Sequence, residues 1–75
     1  MLFFRSKAVK ELDSIVNDVE QYLMNNYKDP AHESRKKLGK RTQELFSERK
    51  IDEKTYHKYM LKYSKFTNTM RDYHH

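Results

Sequence analysis

A chain of 75 residues with 36% apolar and 36% charged side chains makes one small domain, whose core must come from narrow stripes. There is no cysteine, which excludes disulfides and thiolate-held structural zinc, two common staples of domains this size. The formal net charge of +5 favours phosphate, anionic lipid or an acidic protein as partner, and bears on partner sign rather than on fold.

One glycine and one proline leave little room for turns, so few and long elements are expected. Ala8, Leu12, Ile15, Val16, Val19, Tyr22 and Leu23 recur at three- and four-residue steps. That period predicts a first helix over about residues 6–27, with Ser6 as N-cap. Lys28-Asp29-Pro30 should stop it, because a residue before proline is pushed out of the α region. The second helix is expected over about 30–47, with Asp29 as its cap and Pro30 at the first helical position. Its apolar stripe is thin: Ala31, Leu38, Leu45 and Phe46, with Thr42 between. Gly39 sits inside this helix at a cost of ~1 kcal/mol relative to alanine, which marks either a close helix–helix approach or a weak point. SERKI, residues 47–51, connects to a third helix over about 53–72. Asp52 is its expected N-cap, and Ile51 and Tyr56 have the spacing of a hydrophobic staple. The fold class expected is all-α, in one domain over residues 1–75. It is a three-helix antiparallel bundle, or a helical hairpin with a packed third helix, with short loops.

With Tyr56 at heptad position a, Tyr56, Tyr63 and Met70 fall at a, while Tyr59, Phe66 and Tyr73 fall at d. The lysines at 54, 58, 62 and 65 mostly fall off this seam. A face that packs against other helices or another chain explains the sorting. A base-stacking face would instead keep cations beside the aromatics. Tyrosines suit a half-buried groove or an interface, where each hydroxyl can find a partner or water, so the seam is read as core or oligomer interface, and a homodimer through it is one expectation.

Charge points to a second surface. Residues 1–28 hold four basic and four acidic groups, residues 29–51 seven and four, and residues 52–75 five and three. Within SRKKLGKR, residues 34–41, Arg35, Lys36, Lys37, Lys40 and Arg41 spread over a broad helix face opposite Leu38. Such a face can neutralise several phosphates with release of counterions, giving salt-sensitive, sequence-tolerant nucleic-acid binding. Against this stands a plain solvated face, partly neutralised by Glu33 four residues before Lys37 and Glu44 four after Lys40. MLFF, beside Arg5, Lys7 and Lys10, is a third candidate surface, for an anionic membrane, although packing over the end of a small core is the commoner use of such a start.

No run approaches the ~18 apolar residues of a membrane span. MLFF is followed, not preceded, by its positive charges, the wrong order for a secretory signal, so a cytoplasmic protein is expected. No metal site is expected: His74 and His75 are adjacent, His57 is more than four turns away, and no two histidines have the i, i+4 spacing of a helical ligand pair. No cofactor and no catalysis are expected either. There is no cysteine nucleophile and no glycine-rich phosphate loop, and the serines and histidines lack a motif context. The stretch LFSERKIDEKTYHKY resembles the short oligomerisation hairpins at the ends of many bacterial proteins. It covers about a fifth of the chain, lacks the glycine of their turn and names no family. The expected function is therefore non-catalytic, in a protein bacterial in style. First comes a protein–protein interaction or self-association module, then a nucleic-acid-binding accessory protein, then a peripheral membrane adaptor.

Overall fold

Helix α1 spans Lys7–Met24, α2 spans Lys28–Ser47 and α3 spans Glu53–Met70 in the computed structural model, which describes residues 6–71. There is no strand among the described residues. Ser6 caps α1, its hydroxyl oxygen accepting the Val9 N–H at 3.1 Å.

Helix α1 ends three residues before Tyr27, and the stop is made by asparagine rather than proline. Asn26 sits in the left-handed region at φ 59°. Its N–H donates to the Leu23 carbonyl at 3.1 Å, and the Tyr27 N–H donates to the Tyr22 carbonyl at 2.8 Å. This pair of bonds is a Schellman motif, and asparagine bears the left-handed conformation better than most side chains. The rings of Tyr22 and Tyr27, 6.4 Å apart, supply its apolar contact. Tyr27 is consequently also the N-cap of α2, with no side-chain bond. Asp29 is thus not the cap expected from sequence. It stands in the first turn of α2, where a carboxylate meets the positive end of the helix dipole. Pro30 is the third helical residue, and its missing N–H would have had no partner there either.

The second connection repeats the device. Arg49 takes φ 62°, its N–H donates to the Phe46 carbonyl at 3.0 Å, and the Lys50 N–H donates to the Leu45 carbonyl at 2.8 Å. The chain is then ready for α3. Asp52 Oδ1 accepts the Thr55 N–H at 2.8 Å, Ile51 is buried, and Tyr56 packs against the same core.

Cross-helix contacts set the directions. Glu11 meets Arg41 while Val19 clusters with Ala31, so α1 and α2 are antiparallel. Phe46 meets Tyr56 and Arg35 meets Thr67, so α2 and α3 are antiparallel as well. Helix α2 packs along both neighbours, whereas α1 and α3 meet chiefly through long side chains. One part of the core joins Ala8, Leu12, Ile15, Val16, Leu38, Leu45, Ile51 and Tyr59. The other joins Val19, Ala31 and Met70, and Phe66 packs on both. The chain is a small all-α bundle centred on α2.

Candidate functional site

The tyrosine seam of α3 is largely used inside the chain. Tyr59 is 1% exposed and Met70 is 2% exposed, while Tyr56, Tyr63 and Phe66 are half-buried against the core. Tyr73 lies outside the described residues. Two of the polar tips are satisfied individually. The Tyr59 hydroxyl donates to Asp13 Oδ1 of α1, and Tyr63 Oη accepts from Arg35 Nη1 of α2 at 3.4 Å.

Gly39 is a close-approach position. A Cβ built there would stand 2.8 Å from Cε1 and 3.0 Å from Cδ1 of Tyr63. The tyrosine ring therefore lies directly on the α2 backbone, a place that no other residue type leaves open. Thr42, the buried polar residue of α2, bonds its own helix, its hydroxyl donating to the Leu38 carbonyl at 2.7 Å.

The basic stretch of α2 divides by role. Arg41 bridges to α1: Nε and Nη2 donate to the two oxygens of Glu11 at 2.5 and 2.9 Å, and Nη1 donates to Glu44 at 2.8 Å. The Arg41 bond holds the Glu11 carboxyl below its ordinary range, helped by the charges of Arg41, Lys37 and Lys50. The same bond raises Arg41 further, so the pair is charged throughout the neutral range. Arg35 turns toward α3, where Nη1 also donates to Thr67 Oγ1 at 3.2 Å. Only Lys36, Lys37 and Lys40 of the five remain on the open face, and Lys36 lies 3.4 Å from Glu33. The carboxylate pairings differ from those expected: Glu33 reaches Lys36 and Glu44 reaches Arg41, both at i, i+3. In each case the three-residue step brings the two side chains to the same side of the turn.

A feature not singled out from sequence is the outer face of α3. Between Glu53 and Asp72 the chain carries Lys54, Lys58, Lys62, Lys65 and Arg71 and no carboxylate. Lys54, Lys58 and Lys65 are exposed, Lys62 is half-buried, and none of these four lysines forms an ion pair among the described residues. At 100° per residue the four fall on one side of the helix, over ~16 Å of its length. Leu61 stands beside them at 57% exposure. The signal was in the sequence, as the absence of Asp and Glu from one helix. By contrast, the outer face of α2 mixes Asp29, Glu33 and Glu44 with its lysines.

Apolar surface also remains at the helix ends. Phe46, expected in the α2 stripe, is 39% exposed and stacks on Tyr56 with ring centroids 4.4 Å apart. His57 packs edge-on to Tyr56 and lies 3.5 Å from Glu53, an exposed pair on the polar side. No group of three metal-ligating side chains capable of holding an ion occurs among the described residues. His74, His75 and the MLFF stretch lie outside them. No described helix is long and apolar enough to cross a membrane. A cavity of about 260 Å³ opens between α2 and α3, lined by His32, Arg35, Thr67, Met70 and Arg71. Compared with known proteins, the chain matches no protein-family model, no curated protein and no solved structure.

Proposed function

We propose that the protein acts by binding rather than catalysis, as a protein–protein interaction module whose partner presents an acidic surface to the outer face of α3. The carrying observation is the carboxylate-free row of Lys54, Lys58, Lys62 and Lys65 around the exposed Leu61. Single-sign faces steer oppositely charged partners and reject like-charged ones. A second copy of this chain would bring the same lysines to that face, which argues for a different protein as partner. Burial of Tyr59 and Met70 within one chain supports the same choice over a dimer through the seam.

An acidic protein suits this face better than nucleic acid does. The aromatics of α3 pack inward, so the lysine row has no stacking platform for bases, while Leu61 offers an apolar contact that a phosphate backbone would not cover. The α2 face speaks less for nucleic acid once Arg35 and Arg41 are engaged within the chain.

The test compares two charge-reversed proteins. One carries Lys54→Glu, Lys58→Glu and Lys65→Glu; the other carries Lys36→Glu, Lys37→Glu and Lys40→Glu. Partners are captured by crosslinking after nuclease treatment, and affinity for mixed DNA and RNA is read by fluorescence anisotropy. The expected result is an acidic protein bound by the wild type and the α2 variant, and lost by about tenfold or more in the α3 variant. Capture abolished by nuclease, or lost only in the α2 variant, would replace this reading with nucleic-acid binding.

A further inference from the structure

Arg35 is a half-buried guanidinium with no carboxylate paired to it among the described residues. Its Nη1 donates to the hydroxyl oxygens of Tyr63 and Thr67 at 3.4 and 3.2 Å, and its carbon lies 5.6 Å from the centre of the Tyr63 ring. Its Nε is closed to solvent and has no acceptor among the described residues. Two neutral hydroxyls and an aromatic face orient the group without cancelling its charge. Withdrawing a cation from water without a counter-ion is unfavourable, and a buried donor without an acceptor adds to the penalty. Such an arrangement is stabilised by whatever supplies the missing negative charge.

The supply route is the cavity beside it. Arg35 lines a space of about 260 Å³ with His32, Thr67, Met70 and Arg71. No acidic side chain is among these lining residues, and His32 adds a ring N–H donor. The volume is below the ~300–1,000 Å³ of sites for drug-sized ligands, so it suits a single small group rather than a nucleotide.

We propose that this cavity binds a small oxyanion, a phosphate or a short carboxylate, on Arg35 with His32 and Thr67 at its sides. With Nη1 already committed, the Nε–Nη2 edge is the one without an acceptor among the described residues, and that edge matches two oxygens of one anion. Because Nε is closed to solvent, the anion meets the outer end of the guanidinium first and gains Nε as the side chain rotates. Met70 gives the cavity an apolar wall, which distinguishes the two ligand sources: a carboxylate with a short alkyl tail covers it, and phosphate does not. The site is distinct from the lysine row of α3, so either can fail without the other.

The test is a titration of the full chain, followed by two-dimensional NMR at constant ionic strength set with chloride. Inorganic phosphate and butyrate are the probes. The expected result is saturable shifts confined to His32, Arg35, Thr67 and Met70, with the Arg35 Nε–H signal moving most. Apparent affinity should fall about tenfold in Arg35→Gln and partly recover in Arg35→Lys, which keeps the charge without the fork. His32→Gln, which leaves the guanidinium in place, should weaken binding less and serves if Arg35→Gln unfolds. Saturation by phosphate alone or by butyrate alone identifies the source. Shifts that fail to saturate for both anions, that persist unchanged in Arg35→Gln and His32→Gln, or that centre on Lys36, Lys37 and Lys40 overturn the proposal.

Discussion

The two sides of α2 are built from different materials. Toward α1 it presents Leu38 and Leu45 to Leu12, Ile15 and Val16, an aliphatic contact closed at its edge by the Arg41–Glu11 bridge. Toward α3 it presents Gly39, Arg35 and Phe46 to Tyr63, Thr67 and Tyr56, a contact of rings and hydroxyls. Aliphatic packing rewards volume and tolerates many shapes, whereas an aromatic contact needs a flat place for each ring and a partner for each polar tip. The first side therefore stabilises the bundle, and the second fixes how α3 is placed on it.

The largest effect is expected on the aliphatic side. Leu12 is fully buried, and Leu12→Ala removes its methyls from the contact and leaves a cavity, at about 2–5 kcal/mol. A domain with about 3–5 kcal/mol in hand would be largely unfolded by that change, which urea unfolding followed by circular dichroism would read directly.

Gly39→Ala sets the two materials against each other. Alanine gains about 1 kcal/mol of helix propensity, but its Cβ would stand 2.8 Å from the Tyr63 ring, which must move off the helix and away from Arg35. The expected outcome is a net loss of about 1 kcal/mol in the wild-type background and a gain of similar size when Tyr63→Ala is already present. A gain in both backgrounds would mean that the ring contact contributes nothing.

Tyr59→Phe keeps the packing and removes the hydroxyl that donates to Asp13. A loss of about 1 kcal/mol is expected, provided the ring stays in place, as its near-complete burial implies. The double change with Asp13→Ala, which removes the acceptor, isolates the pair when measured in the same urea series.

The smallest effect belongs to the bridge at the edge of the aliphatic side. Glu11 is 38% exposed on its side chain and Arg41 29%, so solvent screens the pair. Because bonding to Arg41 lowers the Glu11 pKa in the folded state, the contribution is present above the unfolded value near 4.5 and is lost as pH falls through the folded one. Asp52, lowered mainly by the Thr55 backbone bond, acts in the same direction at the α3 cap. Thermal unfolding should therefore shift downward on acidification below about pH 4.5, and less so in Glu11→Gln than in the wild type.

Legibility in the sequence followed the same division. The α1 stripe from Ala8 to Val19 repeats at helical steps, so the element and its buried face were readable, as were the Ser6 and Asp52 caps. The end of α1 was not, because an asparagine fills the left-handed position where glycine usually announces a stop. The aromatic seam of α3 was readable as a stripe, but not the reason for its tyrosines. That reason lies in partners far along the chain: Asp13 is 46 residues from Tyr59, and Arg35 is 28 from Tyr63. The division of the α2 cations had the same cause, since Arg41 finds Glu11 across 30 residues. Local spacing carries no trace of such pairings. The single-sign face of α3, by contrast, was a local signal, carried by residues that do not occur there.

The central claim is that Tyr59 and Tyr63 find their partners within one chain, and that the proposed docking face is the lysine row of α3, open to a different protein. Sedimentation equilibrium of the full chain at tens of micromolar, with Tyr63→Ala alongside, tests it most directly. A single species of 9.3 kDa for both proteins is predicted. A wild-type dimer that dissociates in Tyr63→Ala would contradict the claim.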